Sequence, residues 1–212
     1  KTSMNRATSL ADVSLAAGGQ ISDLLIEMRE KATAAADPSS TPATRKAYND
    51  EFQSLLKSLQ SFADNATFDG ENILNGKVNG VRPVAPATLT SLNFLANVGA
   101  TETISMNRQD LSLRGVGLDL PARAAAAGPP LVTARPAGPP QLDTLENATE
   151  AFTAVVAALD NANSKLAELG AQSKQIEKHN IFVGKLMDSL EVGIGNLVDA
   201  DMAKESARLQ AL

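Results

Sequence analysis

The stretch 195–209, GNLVDADMAKESARL, places three carboxylates close together, at Asp199, Asp201 and Glu205. Clustered carboxylates bind hard cations and perform general acid–base catalysis. On a helix, however, Asp199 and Asp201 point about 200° apart, so they cannot hold the same ion. The segment DADMAKES (199–206) also lacks, at the spacing of a calcium-binding loop, the third acidic or amide ligand and the glycine that should soon follow it. Basic residues follow two of the acids at a spacing of three. The pattern therefore predicts a charged helix face, exposed to solvent or to another subunit, with no metal.

Other residues that support catalysis are scarce. His179 is the only histidine, and the chain has no cysteine. A histidine zinc site, an HExxH protease and a cysteine–histidine pair are thereby excluded. The sequence contains no GxSxG, Walker or GxGxxG motif. We predict that the protein is not an enzyme and needs no cofactor, and that His179 lies on or beside the buried face of a helix.

Composition limits the partners. The net charge of −5 gives no support to nucleic-acid binding, and no apolar run is long enough for membrane insertion. Apolar residues make up 43% of the chain but aromatic residues only 3%. Burial by aliphatic side chains favours long helices packed side by side.

Proline shows where such helices can lie, since a proline inside a helix costs about 3 kcal/mol. Eight of the ten prolines fall within residues 78–140. Before that region, apolar spacing predicts a helix over 3–36. A second helix is predicted from Pro42, with Thr41 as its N-cap, to about Asn65. The short turn between the two helices predicts an antiparallel pair.

A third and longest helix is predicted from Leu142 onward. Its apolar residues alternate in steps of three and four over about fifty residues, or roughly 75 Å, as in coiled coils. Gly193 and Gly195 predict a bend or local fraying. Two consecutive glycines at 18–19 predict a close approach between helices. The predicted core leucines are Leu24, Leu55, Leu159 and Leu166.

The central segment has a different character. Residues 88–95 and 101–106 alternate and are rich in β-favouring residues, which predicts a β-hairpin. Residues 111–120 are predicted to add a strand, and 121–140, with AGPP twice, to form an irregular linker. The predicted fold class is mainly α: a long antiparallel, coiled-coil-like helical rod with a small central segment that contains a β-hairpin.

All basic residues of this central segment are arginines, whose guanidinium groups suit carboxylate recognition. They are Arg82, Arg108, Arg114, Arg123 and Arg135. One hypothesis is that they contact an acidic ligand such as a polysaccharide. The alternative is ordinary solvated loop charge.

Three stretches resemble bacterial flagellin, the filament subunit. The first, DLLIEMREKATAAAD at 23–37, matches the family's first-helix segment at Arg29, Glu30 and Ala32 and departs from it at Lys31. TFDGENILNG at 67–76 is similar to the family's TQFNG…LLNG.

The third stretch, LVDADMAKESARL at 197–209, resembles the C-terminal family pattern IxDADxAxExxxL. It matches that pattern at Asp199, Ala200, Asp201, Ala203, Glu205 and Leu209. The preceding FVGKLMDSLEVGIGNLVDAD resembles the alphaproteobacterial branch in particular.

The resemblance implies a rod domain built from residues 1–77 and 142–212, with 78–141 as the variable, outward-facing part. It further implies that the filament-core segments of both termini are missing from these 212 residues, so that this polypeptide alone is a monomer. The subunit-interface candidates are Asp199, Asp201, Met202, Glu205 and Arg29.

The implied function is that of a structural subunit of the flagellar filament, which self-assembles for swimming motility. The implied partners are other copies of the chain, the flagellar export apparatus and a chaperone, and the implied location is extracellular, without a cleaved signal peptide. A hook–filament junction protein and a flagellin-like surface protein, an adhesin or an acidic-polysaccharide receptor, are the alternatives.

Overall fold

Three helices form most of the molecule. The computed structural model describes residues 2–83, 89, 91–95, 102–129 and 131–211. Helix α1 spans Thr2–Ala35, α2 Pro42–Asn65 and α3 Leu145–Gln210. The predicted mainly-α class is therefore confirmed. Helix α3, with 66 residues, is about 100 Å long. It passes Gly193 and Gly195 without interruption, so the local fraying predicted there is wrong.

Side chains cap the helix ends, and the predicted N-cap at Thr41 is confirmed. The hydroxyl of Thr41 accepts the backbone N–H of Thr44 at 3.2 Å and thereby caps α2. In the turn between α1 and α2, Asp37 Oδ1 accepts the backbone N–H of Ser39 at 2.9 Å. That bond, joined by the Ser39 hydroxyl, lowers the pKa of the Asp37 carboxyl. Arg45 Nε donates to the carbonyl of Ala35 at 2.9 Å, which satisfies an otherwise open end of α1.

Helix α1 packs against both of the other helices. Its antiparallel pairing with α3 is marked by two polar contacts. Ser22 Oγ donates to Asn163 Oδ1 at 3.2 Å, and Asn180 Nδ2 donates to Thr8 Oγ1 at 3.0 Å. Thr8 therefore lies level with Asn180, close to the beginning of α1.

Gly18 lies where α1 and α3 approach each other closely. A Cβ atom at this position would collide with the Cδ2 atom of Leu166, whereas one at Gly19 would meet nothing within 4 Å. The predicted role of the glycine pair is thus confirmed for Gly18 alone.

At several positions the buried residue is adjacent in sequence to the one predicted to be buried. The four predicted core leucines are only half-buried and pack at its edge. On α1 and α2 the fully buried residues are Leu25 and Leu56. On α3 the buried side chains are mostly small: Ala148, Ala151, Val155, Ala158, Ala162, Leu169 and Ile176. The reason is that alanine permits close packing on α1, while a larger neighbour such as Phe152 is 37% exposed.

Two small antiparallel hairpins lie beside the helices. Strand β1 (Thr67–Phe68) pairs with β2 (Glu71–Asn72) around a turn in which Asp69 and Gly70 have φ values of 53° and 78°. Strand β3 (Leu92–Leu95) pairs with β4 (Thr103–Met106), which confirms the predicted hairpin. Residues 96–101 of the connection between these strands, where the sequence ANVGAT supplies the asparagine and glycine of a turn, lie outside the described residues.

The strand predicted over 111–120 is wrong. Residues 113–117 form consecutive turns, in which the N–H of Val116 donates to the carbonyl of Ser112 at 3.0 Å. Gly117 has a φ of 89°, outside the β region. The turns bury Leu111, Val116 and Leu118, whereas an extended strand would direct Leu111 to the opposite face from the other two.

The described residues of 120–138, all but 130, are more regular than the linker predicted from composition. Three reciprocal pairs of backbone hydrogen bonds join Leu120 to Gly138, Arg123 to Arg135, and Ala126 to Val132. Bonding at every third residue matches the period of a polyproline II helix, which has three residues per turn. We call this feature the proline hairpin.

Candidate assembly surface

The C-terminal part of α3 extends beyond the other helices. Ile176 is the last buried residue of α3, and every residue from Lys185 to Ala211 is exposed. We call residues 185–211 the distal arm; at 1.5 Å per residue it is about 40 Å long.

The arm is exposed but strongly apolar. Six of its large side chains are 41–70% exposed. They are Leu186, Met187, Leu190, Ile194, Leu197 and Val198. At 100° per residue they fall within an arc of about 120° that also contains Ile176. The face that packs on α1 therefore continues along the arm, where no described residue covers it. An apolar stripe of this length marks an interaction site.

The carboxylates singled out in the sequence lie on the arm but on different faces. Asp201 and Glu205 lie on the apolar stripe, Asp199 about 160° away from its centre, and Met202 near its edge. Within the described residues, none of the three acids forms an ion pair, although Lys204 and Arg208 follow at favourable spacing. Nor do the described residues contain a group of three or more potential metal ligands.

Arg29 is not brought to the arm. It is exposed on α1, at a level near residue 157 of α3. The distance along the helix axis to Asp199 is therefore roughly 60 Å. His179, half-buried at the flank of α3, lies with its ring centroid 6.4 Å from that of Phe182.

Four of the five central arginines are paired within the chain. Arg82 Nη1 lies 2.5 Å from Asp110 Oδ2, and Arg108 Nη2 lies 3.3 Å from Glu71 Oε2. Arg123 and Arg135 share Glu150 of α3, at 2.5 and 2.7 Å. Arg114 alone is exposed and has no ion-pair partner among the described residues.

Glu150 attaches the proline hairpin to α3, a role that sequence reasoning missed. The side chain of Arg135 is only 3% exposed, and its Nη1 and Nη2 atoms each donate to a proline carbonyl at 2.7 Å. Arg123 Nη2 donates to Asn147 Oδ1 at 2.7 Å. The available signal was two arginines at equal distances from the GPP sequence at 128–130, followed by a predicted helix with glutamates four residues apart.

None of the helices within the described residues has the length and apolar character that a membrane span requires.

Comparison with known proteins identifies the helical regions. Residues 2–79 match the family model of the bacterial flagellin N-terminal helical region, and 152–212 match that of the C-terminal helical region. Flagellin FljJ of Caulobacter vibrioides is 42% identical over 92% of this chain and 62% of its own length. Flagellin FljK of the same organism is 39% identical over 100% of this chain and 67% of its own length.

A relative of lower sequence identity is also a flagellin. Flagellin C of Rhizobium meliloti is 31% identical over 90% of this chain and 65% of its own length. The chain thus spans about two thirds of the length of these relatives. The crystal structure of Bacillus cereus flagellin superimposes with a TM-score of 0.64, covering 83% of this chain and 85% of that one at 18% identity.

Proposed function

Because the chain belongs to the bacterial flagellin family, a family of structural, non-enzymatic proteins, we propose that it is a structural subunit of the flagellar filament. In this role it self-assembles outside the cell for swimming motility. Export by the flagellar apparatus with a chaperone, and without a cleaved signal peptide, belongs to the same proposal.

The apolar stripe of the distal arm is the observation that carries the proposal. A stripe that continues a packed core face is buried at little cost when a matching surface covers it, and it is unfavourable in water. Asp201 and Glu205 on that stripe place charge where packing against a neighbour would determine register. The arm is therefore the proposed assembly surface.

We propose that the chain divides into a helical rod and an outward-facing part. Residues 1–77 and 142–212 form the rod, and 78–141 form the outward-facing part. What supports this division is that the proline hairpin is held on the side of α3 by Arg123 and Arg135, well away from the arm. Arg29 is kept as a second, separate contact candidate on the rod.

The alternative of an acidic-polysaccharide receptor has less support. Four of the five arginines that suggested it already have a carboxylate partner within the chain. A hook–filament junction protein would use the same kind of helical rod, and filament reconstitution from this subunit alone separates it from the leading proposal.

Asp201→Lys in the full-length protein tests the assembly surface. Since Asp201 is exposed and unpaired among the described residues, the substitution should change the free energy of unfolding by less than about 0.5 kcal/mol. In the filament it should place an unmatched charge against a neighbouring subunit, at a cost of several kcal/mol. We expect folded, exported protein that forms short filaments or none.

The matched control is Asp160→Lys. It makes the same charge change at an exposed position in the part of α3 that packs against α1, away from the arm. It should support longer filaments than Asp201→Lys in electron micrographs. Filaments of normal length and normal swimming with Asp201→Lys would refute the arm as the assembly surface.

A further inference from the structure

A cavity of about 310 Å³ between the central segment and α3 has an unusual charge. Among the described residues that line it are four cationic side chains and one carboxylate. The cationic residues are Arg82, Arg108, Arg114 and Lys165, and the carboxylate is Asp110. Positive charge therefore predominates in this cavity of an otherwise acidic chain.

The single carboxylate is already fully engaged. Asp110 Oδ2 receives Arg82 Nη1 at 2.5 Å, and Oδ1 accepts the backbone N–H of Ser112 at 3.1 Å together with the Ser112 hydroxyl. Arg82 Nη2 donates to the carbonyl of Asn75 at 3.1 Å. Asp110 and Arg82 thus neutralise each other, and Arg108 is paired with Glu71 at 3.3 Å. Lys165 and Arg114 are the lining cations without an ion-pair partner among the described residues.

Lys165 is held by neutral groups. Its Nζ donates to the carbonyls of Asp110 and Gly115, at 2.8 and 3.0 Å, which leaves one of its three N–H bonds. Burial lowers the pKa of Lys165, and Asp110 opposes this only in part. An ammonium group that is desolvated in this way gains most from a further anion.

Arg108 and Arg114 supply further hydrogen-bond donors and positive charge at the same cavity. The side chain of Arg108 is 5% exposed, and its Nε has no hydrogen-bond partner among the described residues. Such an orphaned donor is costly unless a ligand or water satisfies it. Arg114 is exposed, so its guanidinium is available to a group that enters from solvent.

We propose that this cavity binds a tetrahedral oxyanion of the phosphate or sulfate class, with Lys165 and Arg114 as its counter-charges and Arg108 as a further donor. Guanidinium and ammonium groups form short, charge-assisted hydrogen bonds to such oxygens. The volume is in the range of small-molecule sites and exceeds that of a bare ion. The oxyanion can therefore be free or carried as a monoester on a sugar.

Calorimetric titration of the unassembled full chain tests the site. The probes are inorganic phosphate, glucose 6-phosphate and glucose, each in chloride buffer of constant ionic strength. We expect one equivalent of phosphate to bind and glucose not to bind. Tighter binding of glucose 6-phosphate would assign the oxyanion to a sugar ester, and equal or weaker binding would assign it to the free ion.

Two variants locate the binding. Arg114→Gln should weaken phosphate binding about tenfold or more, as expected for the loss of one charge-assisted hydrogen bond. Lys174→Gln removes the same charge from an exposed position on the opposite side of α3 from Lys165, and it should bind phosphate as the wild type does.

A measurement on the wild type needs no variant. Phosphate should shift the NMR resonance of the Arg108 Nε–H, because Arg108 lines the cavity and this buried donor has no hydrogen-bond partner among the described residues. No heat of binding above chloride, an unmoved Arg108 resonance, or equal affinity in Arg114→Gln and Lys174→Gln would each overturn the proposal.

Discussion

At the scale of single residues, one glycine determines how closely the two long helices approach. Gly18 is buried against Leu166, while the adjacent Gly19 faces open space. Both glycines cost helix propensity relative to alanine, about 1 kcal/mol each. Only at position 18 does the missing Cβ make room for a side chain of another helix.

Alanine at each glycine gives a matched pair of variants. Gly19→Ala should raise the free energy of unfolding by about 0.5–1 kcal/mol, since it improves helix propensity without a new contact. Gly18→Ala should lower it, because overpacking costs about 1–3 kcal/mol and outweighs that gain. Urea unfolding measures both. A gain in stability from both substitutions would show that Leu166 moves aside freely.

At the scale of elements, only one of two adjacent apolar residues on a helix can point to the centre of the core. Helix α2 contains Leu55 and Leu56, and both continue an apolar stripe from Phe52. The stripe that α1 covers is Phe52, Leu56, Leu59 and Ala63, and it leaves Phe62 38% exposed. Tertiary packing, not periodicity, determines which of the two leucines is buried.

Truncating each leucine to alanine measures how much its burial contributes to the free energy of unfolding. Leu56→Ala should lower the free energy of unfolding by about 2–5 kcal/mol, the cost of a cavity in a closed core. Leu55→Ala, which removes a half-buried side chain, should cost about 1 kcal/mol. Chemical denaturation with equal losses for the two variants would contradict the observed rotation of α2.

The proline hairpin depends on one glutamate in a similar way. Glu150→Gln leaves the buried Arg135 without its counter-charge. Removing one partner of a buried pair costs about 3–5 kcal/mol, and we expect a smaller loss here because Glu150 is partly exposed. Hydrogen exchange at the backbone N–H groups of Arg123 and Arg135 should accelerate.

Glu146→Gln is the control for this prediction. Glu146 lies 3.8 Å from Arg123 and is more exposed, so its loss should cost less than about 1 kcal/mol. Unchanged exchange in Glu150→Gln would show that the Glu150 carboxylate is not needed to hold the hairpin.

At the scale of the whole molecule, the distal arm contributes no packing to the rest. Its residues are exposed throughout. Since helices gain most of their stability from packing, an uncovered arm should be the least stable part of α3.

Two truncations test this organisation. A chain that ends at residue 184 should keep the melting temperature of the parent and lose only helical circular dichroism. A chain that ends at residue 170 also loses the buried Ile176 and should melt at a lower temperature. A lower melting temperature after the first truncation would mean that the arm folds back on the molecule.

The sequence by itself determined the family, the three helices, the Thr41 cap and the β3–β4 hairpin. These features depend on local signals: proline position, apolar spacing, capping residues and short motifs, all of which act within a few residues of one another. The family resemblance drew on the same stretches, at 23–37, 67–76 and 197–209.

Only the tertiary structure decided which apolar neighbour is buried, which arginines are paired, and how residues 111–138 fold. Each depends on groups far apart in the chain: Arg82 meets Asp110, and Gly18 meets Leu166. Apolar doublets are equivalent until a partner helix covers one of them, and an arginine has the same local sequence whether a glutamate faces it or not. That is why periodicity identified the helices, while their rotation and their ion pairs emerged only from the packed molecule.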